Sequence, residues 1–553
     1  MNENQENTKN ENSNDPSIKL IVNGMSFPCL KSKIISISQY AQKLYDEEPE
    51  LENITVSVQN AELNTDLIKK ILKCKKFKIN KYNLNFLQEF AHVLQMEQLI
   101  HNIDDYTYDM SIVHNSPIFN EYIKLENVVF SVTEENIRTL ALEISDYLQE
   151  ANDEKRLLIT LKNACLSLPY SIDLYFEFIE QIETFSKLSI LSKFADLVLD
   201  QVMHSAIPPI YLDNITEYCY LLHRFIDMDV IPESSINIAK VQLPYLFIHL
   251  LSDEWTDILQ KYAIPKRYFS INYSKLKENN WALHKQLAIK GTNTDALYQV
   301  IKNDDIDEFL RMVSNSNINI RTKIIDASLY ERWSIFESKE LFLIEIAAMF
   351  GSISIFKFLM MNNDGKTNKL SQFAVAGGNI EIIHLCEQMN CDFYESLFTA
   401  VICHRYAIFK WLVETKHVMT SKDTKSVIEK CCDSGNYRLI KYLLKRGYDP
   451  TLVLIEAICL AKYDTANFIL EMRRIDIMME SPDSKAIPLH LACRKGATEL
   501  IEKILNFPGV DVNKKALHDV RPIHSVIRSK KIDAVKMLLK RNDILLDVKT
   551  VKV

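Results

Sequence analysis

The stretch Ala486–Asn513, AIPLHLACRKGATELIEKILNFPGVDVN, decides the fold of this chain. Its first part, Ile487–Ala492, opens a helix, and Gly496 closes a turn into a second helix. The second helix carries one apolar face at the spacing i, i+1, i+4, i+5, formed by Leu500, Ile501, Ile504 and Leu505. The residues from Gly509 to Asn513 lead to the next unit, so the stretch predicts one helix–turn–helix repeat.

This order of features resembles one ankyrin repeat, whose core pattern is T-P-L-H-x-A within about 33 residues. Ile487-Pro488-Leu489-His490-Leu491-Ala492 occupies the place of that pattern, and Arg521-Pro522-Ile523-His524 repeats it 34 positions later (522 − 488). The resemblance implies a helical solenoid that binds other proteins. It also implies that His490 and His524 order neighbouring loops through hydrogen bonds, although both could instead be ligands or bases.

The register extends upstream through pairs of small or apolar residues that stand about four positions before a turn residue. The predicted turn residues are Gly351, Gly378, His404, Gly435, Ala461, Gly496 and Lys530, which lie 27, 26, 31, 26, 35 and 34 positions apart. The short spacings leave room for two helices but little for the projecting finger of the family. Residues 341–545 should therefore form stacked helix pairs without a β-sheet. A divergent first repeat is predicted at Asp295–Asn315, followed by an insertion around Arg321–Ser338.

The N-terminal part has a different pattern. Short strands are predicted at Ile18–Val22, Met25–Pro28, 54–58 and 77–79, with a helix over Lys31–Tyr45. The segments Phe27–Ile34, Ser38-Gln39-Tyr40 and Asn85–Leu99 resemble motifs of the BTB/POZ family. That resemblance covers residues 18–105 and implies a small α+β domain that folds independently of the repeats.

The complete domain prediction is mainly α-helical. It has a disordered tail at 1–17, a BTB/POZ-like domain at 18–110, a helical connector at 111–292 and a divergent ankyrin array at 293–553. The connector is free of glycine from Glu121 to Trp281 and shows no repeat register. The combination resembles large ankyrin families of protists, and similar architectures occur in giant viruses.

Composition narrows the function classes. A net charge of −8 argues against a general nucleic-acid binder. No apolar run approaches the ~18 residues of a membrane span, and the polar first residues predict no secretory signal. Without a secretory signal, the eleven cysteines are predicted to be free thiols. The predicted location is the cytoplasm, with the nucleus not excluded. Only 10 glycines occur, and none forms a phosphate-binding loop, so no cofactor is expected.

Two groups of cysteine and histidine residues are candidates for a disulfide or a metal site. Cys431-Cys432 could form a vicinal disulfide, or could fill the small-residue positions of the repeat core. A second group could bind zinc if four side chains converged, but Cys386 falls on a helix stripe, which favours a core position. The members of this second group are His384, Cys386, Cys391, Cys403 and His404. We therefore expect neither a metal site nor catalytic residues.

The two residues before each turn commonly face the concave groove of ankyrin repeats. By resemblance, a protein partner is predicted to contact Met349, Phe350, Ile402, Cys403, Asp433, Ser434, Cys459, Leu460, Arg494, Lys495, Arg528 and Ser529. The pair Ala376-Gly377 occupies the same register. The apolar members could alternatively be covered by the connector or by neighbouring repeats.

The predicted function is protein binding, without enzymatic activity. The array holds a protein partner, and by resemblance the BTB/POZ-like domain recruits a cullin, which would make the chain a substrate adaptor of a ubiquitin ligase. Two alternatives stay open. One is a plain scaffold without a ligase link, and the other is an enzyme with an active site in residues 121–290.

Overall fold

The computed structural model describes residues 15–59, 62–203, 215–236, 247, 249–250, 273–316, 318–321, 323–326, 328, 330–331, 340–362, 367–416, 419–481 and 484–547. The mainly helical fold class is confirmed, with a small sheet near the N-terminus. The predicted disordered tail lies outside the described residues up to position 14. From there Asp15 already accepts a hydrogen bond from the backbone N–H of Ser32.

The N-terminal part is a three-stranded sheet with five helices. Strands β1 (Ser17–Val22), β2 (Met25–Leu30) and β3 (Asn53–Val56) lie in the order β2-β1-β3, with β1 antiparallel to β2 and parallel to β3. Asn23-Gly24 forms the hairpin turn with φ of 50° and 80°, as the sequence predicts. The helices are α1 (Lys31–Ile37), α2 (Gln39–Glu47), α3 (Thr65–Leu72), α4 (Leu84–Val93) and α5 (Glu97–Asn115).

Two local predictions for this part were wrong. The helix expected over Lys31–Tyr45 is divided at Ser38, whose extended backbone ends α1. The Ser38 hydroxyl accepts a hydrogen bond from Ala41 N and thereby caps α2. The strand expected at 77–79 is absent, and these residues form a loop between α3 and α4.

Seven α-helices lie in the described residues of the connector. They are α6 (Pro117–Val129), α7 (Ile137–Tyr147), α8 (Ala151–Ser167), α9 (Ile172–Ser186), α10 (Ile190–Met203), α11 (Ile215–Asp227) and α12 (Tyr273–Lys290), the last interrupted by non-helical backbone at 278–281. Their shared core is aromatic and aliphatic, with Phe178, Phe194 and Phe225 fully buried. The absence of glycine in this region agrees with a tightly packed bundle of regular helices.

Where the structure describes the array, it shows sixteen α-helices in eight pairs. The first helices are α13 (Ala296–Lys302), α15 (Leu343–Phe350), α17 (Leu370–Gly377), α19 (Ser396–Ile402), α21 (Ser421–Ser434), α23 (Pro450–Cys459), α25 (Pro488–Lys495) and α27 (Pro522–Ser529). The second helices are α14 (Ile306–Asn315), α16 (Ile353–Asn362), α18 (Ile380–Gln388), α20 (Tyr406–Trp411), α22 (Tyr437–Lys445), α24 (Tyr463–Ile469), α26 (Thr498–Leu505) and α28 (Ile532–Leu538). The divergent first pair is where the sequence predicts it.

The turns within the pairs follow the predicted register. All seven predicted turn residues have left-handed backbone, including the non-glycine residues His404 (φ 53°), Ala461 (φ 55°) and Lys530 (φ 55°). Asp304 (φ 52°) takes the same place in the first pair. The prediction that residues 341–545 contain no β-sheet is wrong at the N-terminal edge of this span. Strand β4 (Ile324–Asp326) pairs with β5 (Glu340–Phe342), so residues 341 and 342 are extended and the regular array resumes at Leu343.

The chain divides into two compact units. Residues 1–120 and 439–553 form the first unit, which we call the terminal unit, and residues 121–438 form the second, the central unit. In the terminal unit, the buried Asp109 carboxylate of α5 accepts a hydrogen bond from Arg474 Nε at 2.6 Å, and Tyr106 OH donates to Lys445 O at 2.9 Å. The N-terminal part therefore packs against the last repeats within the terminal unit, and its independent folding stays a prediction. The predicted domain boundaries at 110 and 292 stay predictions.

Candidate partner-binding site

Consecutive repeats of the central unit are joined by side chains that directly follow the turn residues. Asn379 Nδ2 donates to Gly351 O at 3.2 Å, and Asn436 Nδ2 donates to Val401 O at 3.0 Å. In the same register, Ser352 Oγ donates to Ile301 O, and Arg405 Nη2 donates to Ala376 O. Each bond adds a donor to a carbonyl at the end of the preceding first helix or in its turn, where the regular intrahelical donors end. The turn ends of these repeats are thus occupied by their neighbours.

Close helix approach explains why the predicted pair Ala376-Gly377 is not open to a partner. A Cβ atom at Gly377 would lie 2.5 Å from Ala348 O and 2.6 Å from Met349 O. Such distances show that α17 lies directly against the end of α15. Met349 is 6% exposed, so its side chain belongs to the same packed region.

Phe350 contacts the connector within the central unit. Its ring lies edge-on to the rings of Tyr170 and Tyr298, with centroids 4.8 Å and 5.5 Å away. The Tyr170 and Tyr298 hydroxyl groups are 3.0 Å apart, and both also bond to the carboxylate of Glu331. This geometry corresponds to the alternative in which the connector covers Phe350.

The connector also contacts the turn residue that follows the third predicted pair, Ile402-Cys403. Cys403 is buried, which raises the pKa of its thiol to about 12. His404 Nδ1 lies 2.9 Å from the Glu126 carboxylate of α6, and Nε2 lies 3.1 Å from Ser434 O. The Phe130 ring stacks on the imidazole at 4.0 Å. Ile402, the last residue of α19, is half-buried.

Glu126 also connects α6 to the next repeat. Its other oxygen accepts a hydrogen bond from Arg438 N at 3.1 Å. A cavity of about 290 Å³ lies beside this group, lined by Phe130, His404, Tyr406 and Arg438 among others. The arrangement joins charged and aromatic side chains within the central unit.

The fourth pair lies against α8 and near α11. A Cβ atom at Gly435 would meet Asn163 Nδ2 at 2.2 Å, so α8 approaches this turn closely. The charge of Asp433 contributes to the raised pKa of Tyr218, although burial of the phenol is the larger cause. Asp433 and Ser434 are half-buried. In the central unit, the connector therefore contacts Phe350 and the turns at His404 and Gly435.

The predicted residues of the terminal unit are more accessible. Arg494 and Arg528 are exposed, whereas Cys459, Leu460, Lys495 and Ser529 are half-buried. Arg494 Nη2 lies 4.0 Å from Cys459 Sγ, which brings neighbouring repeats together in the predicted register. Burial lowers the pKa of Lys495. This part of the row keeps a basic, partly apolar surface that a protein partner could contact.

Packing and hydrogen bonds account for the positions of the candidate cysteines and histidines. Cys431 and Cys432 are buried free thiols, and burial raises the pKa of Cys431. The Cys386 thiol donates a hydrogen bond to Cys391, and this bond together with burial raises the pKa of Cys386. Within the described part of the chain, no three His, Cys, Asp or Glu side chains are arranged to hold a metal ion. His490 Nε2 lies 3.1 Å from Val520 O and orders the following loop, as the motif implies.

A second concave surface lies on the N-terminal part. This groove of about 770 Å³ runs between the end of α1, the loop after α3 and the start of α5. Its apolar lining comes from Ile35, Ile37, Ile71, Phe77, Met96 and Leu99. Sequence reasoning did not identify the groove, because its residues come from three separate segments.

One family match supports the repeat assignment at the C-terminal end of the array. Residues 488–514 match the ankyrin repeat model, and residues 361–443 match a domain of unknown function, DUF3447. No curated protein matches the chain. The human ASB11 ankyrin repeat domain is similar at 12% identity and a TM-score of 0.23, over 46% of this chain and 100% of that one. A chain from the complex of the Bd0816 predatory endopeptidase of Bdellovibrio bacteriovorus with the immunity protein Bd3460 is similar at 13% identity and a TM-score of 0.15, over 45% and 100%.

The paired helices and the left-handed turns form a helical array of the ankyrin type, and residues 488–514 of this array match the ankyrin repeat model. Its repeats support a role in protein–protein interaction. None of the helices that the structure describes is long and apolar enough to cross a membrane.

Proposed function

We propose that the chain binds a protein partner through the exposed, basic part of the predicted row in the terminal unit. The observation that carries this proposal is the contrast within the row. Phe350 contacts the connector and Cys403 is buried, whereas Arg494 and Arg528 reach solvent on consecutive repeats. Exposed arginines in one register are common contacts in protein interfaces.

Affinity purification with the full chain tests this function. Arg494→Glu and Arg528→Glu should each reduce recovery of the captured protein, measured by quantitative mass spectrometry. Lys503→Glu is the matched control, because it makes the same charge change on a second helix outside the row. Equal recovery with all three variants would contradict the proposal.

We further propose that the N-terminal part is BTB/POZ-like and recruits a second protein, with a cullin as the first candidate. The strand order β2-β1-β3, the five helices and the apolar groove support this assignment. The chain would then be a ligase adaptor, whereas a chain that recruits no cullin would be a plain scaffold. Eleven free thiols favour a cytoplasmic location, with the nucleus still open.

The full chain is the right bait for this second test, because a fragment ending near residue 110 would expose Asp109 and Tyr106. Ile37→Asp in the groove should abolish cullin recovery in co-immunoprecipitation. Leu142→Asp, at an exposed apolar position of the connector, should leave recovery unchanged. Failure to recover any cullin with the unmodified chain would favour the scaffold.

A further inference from the structure

The last repeat consists of α27, α28 and the residues up to 547. One of its faces is exposed, whereas the equivalent face of the preceding repeat is buried. Three positions show this when the two repeats are compared at the 34-residue offset (527 − 493). Their exposures are 0% at Cys493 against 57% at Ile527, 8% at Leu505 against 46% at Leu539, and 1% at Val512 against 64% at Leu546. In the earlier repeat these side chains are covered because α27 and α28 stack on α25 and α26.

The exposed side chains therefore form a repeat-stacking face with nothing stacked on it among the described residues. Ile532, 70% exposed at the start of α28, enlarges the same apolar surface. Single exposed apolar residues are common on proteins, but a set that occupies the stacking register of a solenoid marks a surface shaped for helices. We call Ile527, Ile532, Leu539 and Leu546 the end face.

Charge restricts what can occupy the end face. Residues 514–547 contain nine Lys and Arg and four Asp, a net charge of +5, whereas the whole chain carries −8. Arg528, Lys531 and Lys540 adjoin end-face residues in sequence and are exposed. A second copy stacked through the same face would bring these like charges together, which is unfavourable. An acidic partner would meet complementary charge.

We propose that the end face binds an acidic amphipathic helix of a partner protein, which stacks where a further repeat would lie. Apolar side chains of that helix at i, i+3, i+4 and i+7 cover the end face, and flanking Asp and Glu side chains meet the basic residues around it. The proposal deepens the protein-binding function and rests on it, since it names the chemistry of the partner and moves the principal contact from the row to the end of the array.

The test uses a fluorescent synthetic helical peptide with leucine at those spacings and glutamate elsewhere, and the same peptide with lysine in place of glutamate. Fluorescence anisotropy with the full chain should show binding of the glutamate peptide only. The double variant Ile527→Ser/Leu546→Ser should weaken binding about tenfold or more, because two exposed apolar side chains lose their cover. The matched control is Leu142→Ser/Met361→Ser, at exposed apolar positions elsewhere.

Several results would overturn the proposal. They are equal binding of both peptides, unchanged binding by the end-face variant, or binding that appears only after deletion of residues 548–553. A dimer that the end-face variant converts to monomer would assign the face to a second copy. Sedimentation with phosphatidylserine vesicles that this variant abolishes would assign it to a membrane. If Arg494→Glu reduces partner capture and the end-face variant does not, protein binding stands and the end-face proposal fails.

Discussion

Glu126 in the connector and His404 in the array are paired across 278 residues of sequence, with 2.9 Å between the carboxylate and Nδ1. Their side chains are only 7% and 2% exposed. His404 also has a left-handed backbone at a repeat turn, so one residue fixes the turn and contacts the connector. This pair shows how the connector of the central unit is joined to the repeats that follow it.

Glu126→Ala should destabilise the central unit by about 2 kcal/mol, because His404 Nδ1 and Arg438 N would be left buried without an acceptor. Urea unfolding followed by tryptophan fluorescence measures this unit specifically, since all four tryptophans lie between residues 121 and 438. Glu135→Ala, at an exposed position, is the control and should leave the midpoint unchanged.

Phe350→Glu should also lower the midpoint of the tryptophan transition, by roughly 2–4 kcal/mol in unfolding free energy. The new carboxylate would replace a ring that packs on Tyr170 and Tyr298, beside the carboxylate of Glu331. Ile380→Glu, at a half-exposed apolar position of α18, provides the comparison. A midpoint that moves no more than in this comparison would return Phe350 to the list of partner contacts.

Ala461→Gly should stabilise the terminal unit by roughly 0.5–1 kcal/mol. The left-handed conformation is unfavourable by about 1–2 kcal/mol for a residue with a Cβ, and Ala461 adopts it. Glycine removes this cost, but part of the stabilisation is lost because glycine has more backbone entropy in the unfolded chain. Hydrogen exchange of amides in α23 and α24 measures the change. Gly496→Ala should act in the opposite direction, because its Cβ would lie 2.4 Å from Lys531 Cγ.

Much of the array was predictable because its register is local. Pairs of small or apolar residues before each turn identified His404, Ala461 and Lys530 as turn residues although none is glycine, and the structure shows that all three have left-handed backbone. The ladder formed by Ser352, Asn379, Arg405 and Asn436 was missed, yet aligning the residues after each turn would have revealed it.

The covering of the predicted row could not be read from the sequence. Contacts such as Tyr170 with Phe350 and Asn163 with Gly435 join residues that are far apart in the chain and share no periodic pattern. Register assigned Phe350 to a face, but only the packed connector shows what lies on that face. The exposure of Ile527 and Leu546 likewise depends on what stacks beyond them.

Acid should destabilise the last repeats through His490. Burial lowers the pKa of this imidazole in the folded state, against about 6.5 in an unfolded chain. The unfolded state therefore binds the proton more readily, so the stabilising contribution is complete above about pH 6.5 and is lost as the pH falls through the folded pKa. Hydrogen exchange in α25–α27 at several pH values should show this loss, and His490→Gln should remove most of it.

The cysteines should differ in reactivity according to burial. The thiolate is the reactive form, and burial raises the pKa of Cys165, Cys219, Cys431 and Cys493, whereas Cys74 is exposed. Iodoacetamide at about pH 7.5 should therefore modify Cys74 first, and peptide mass spectrometry gives the rate at each position. In denaturant all eleven should react, which is the control for intrinsic reactivity. Labelling of Cys431 in the native chain as fast as Cys74 would show that α21 opens readily and does not form a stable core.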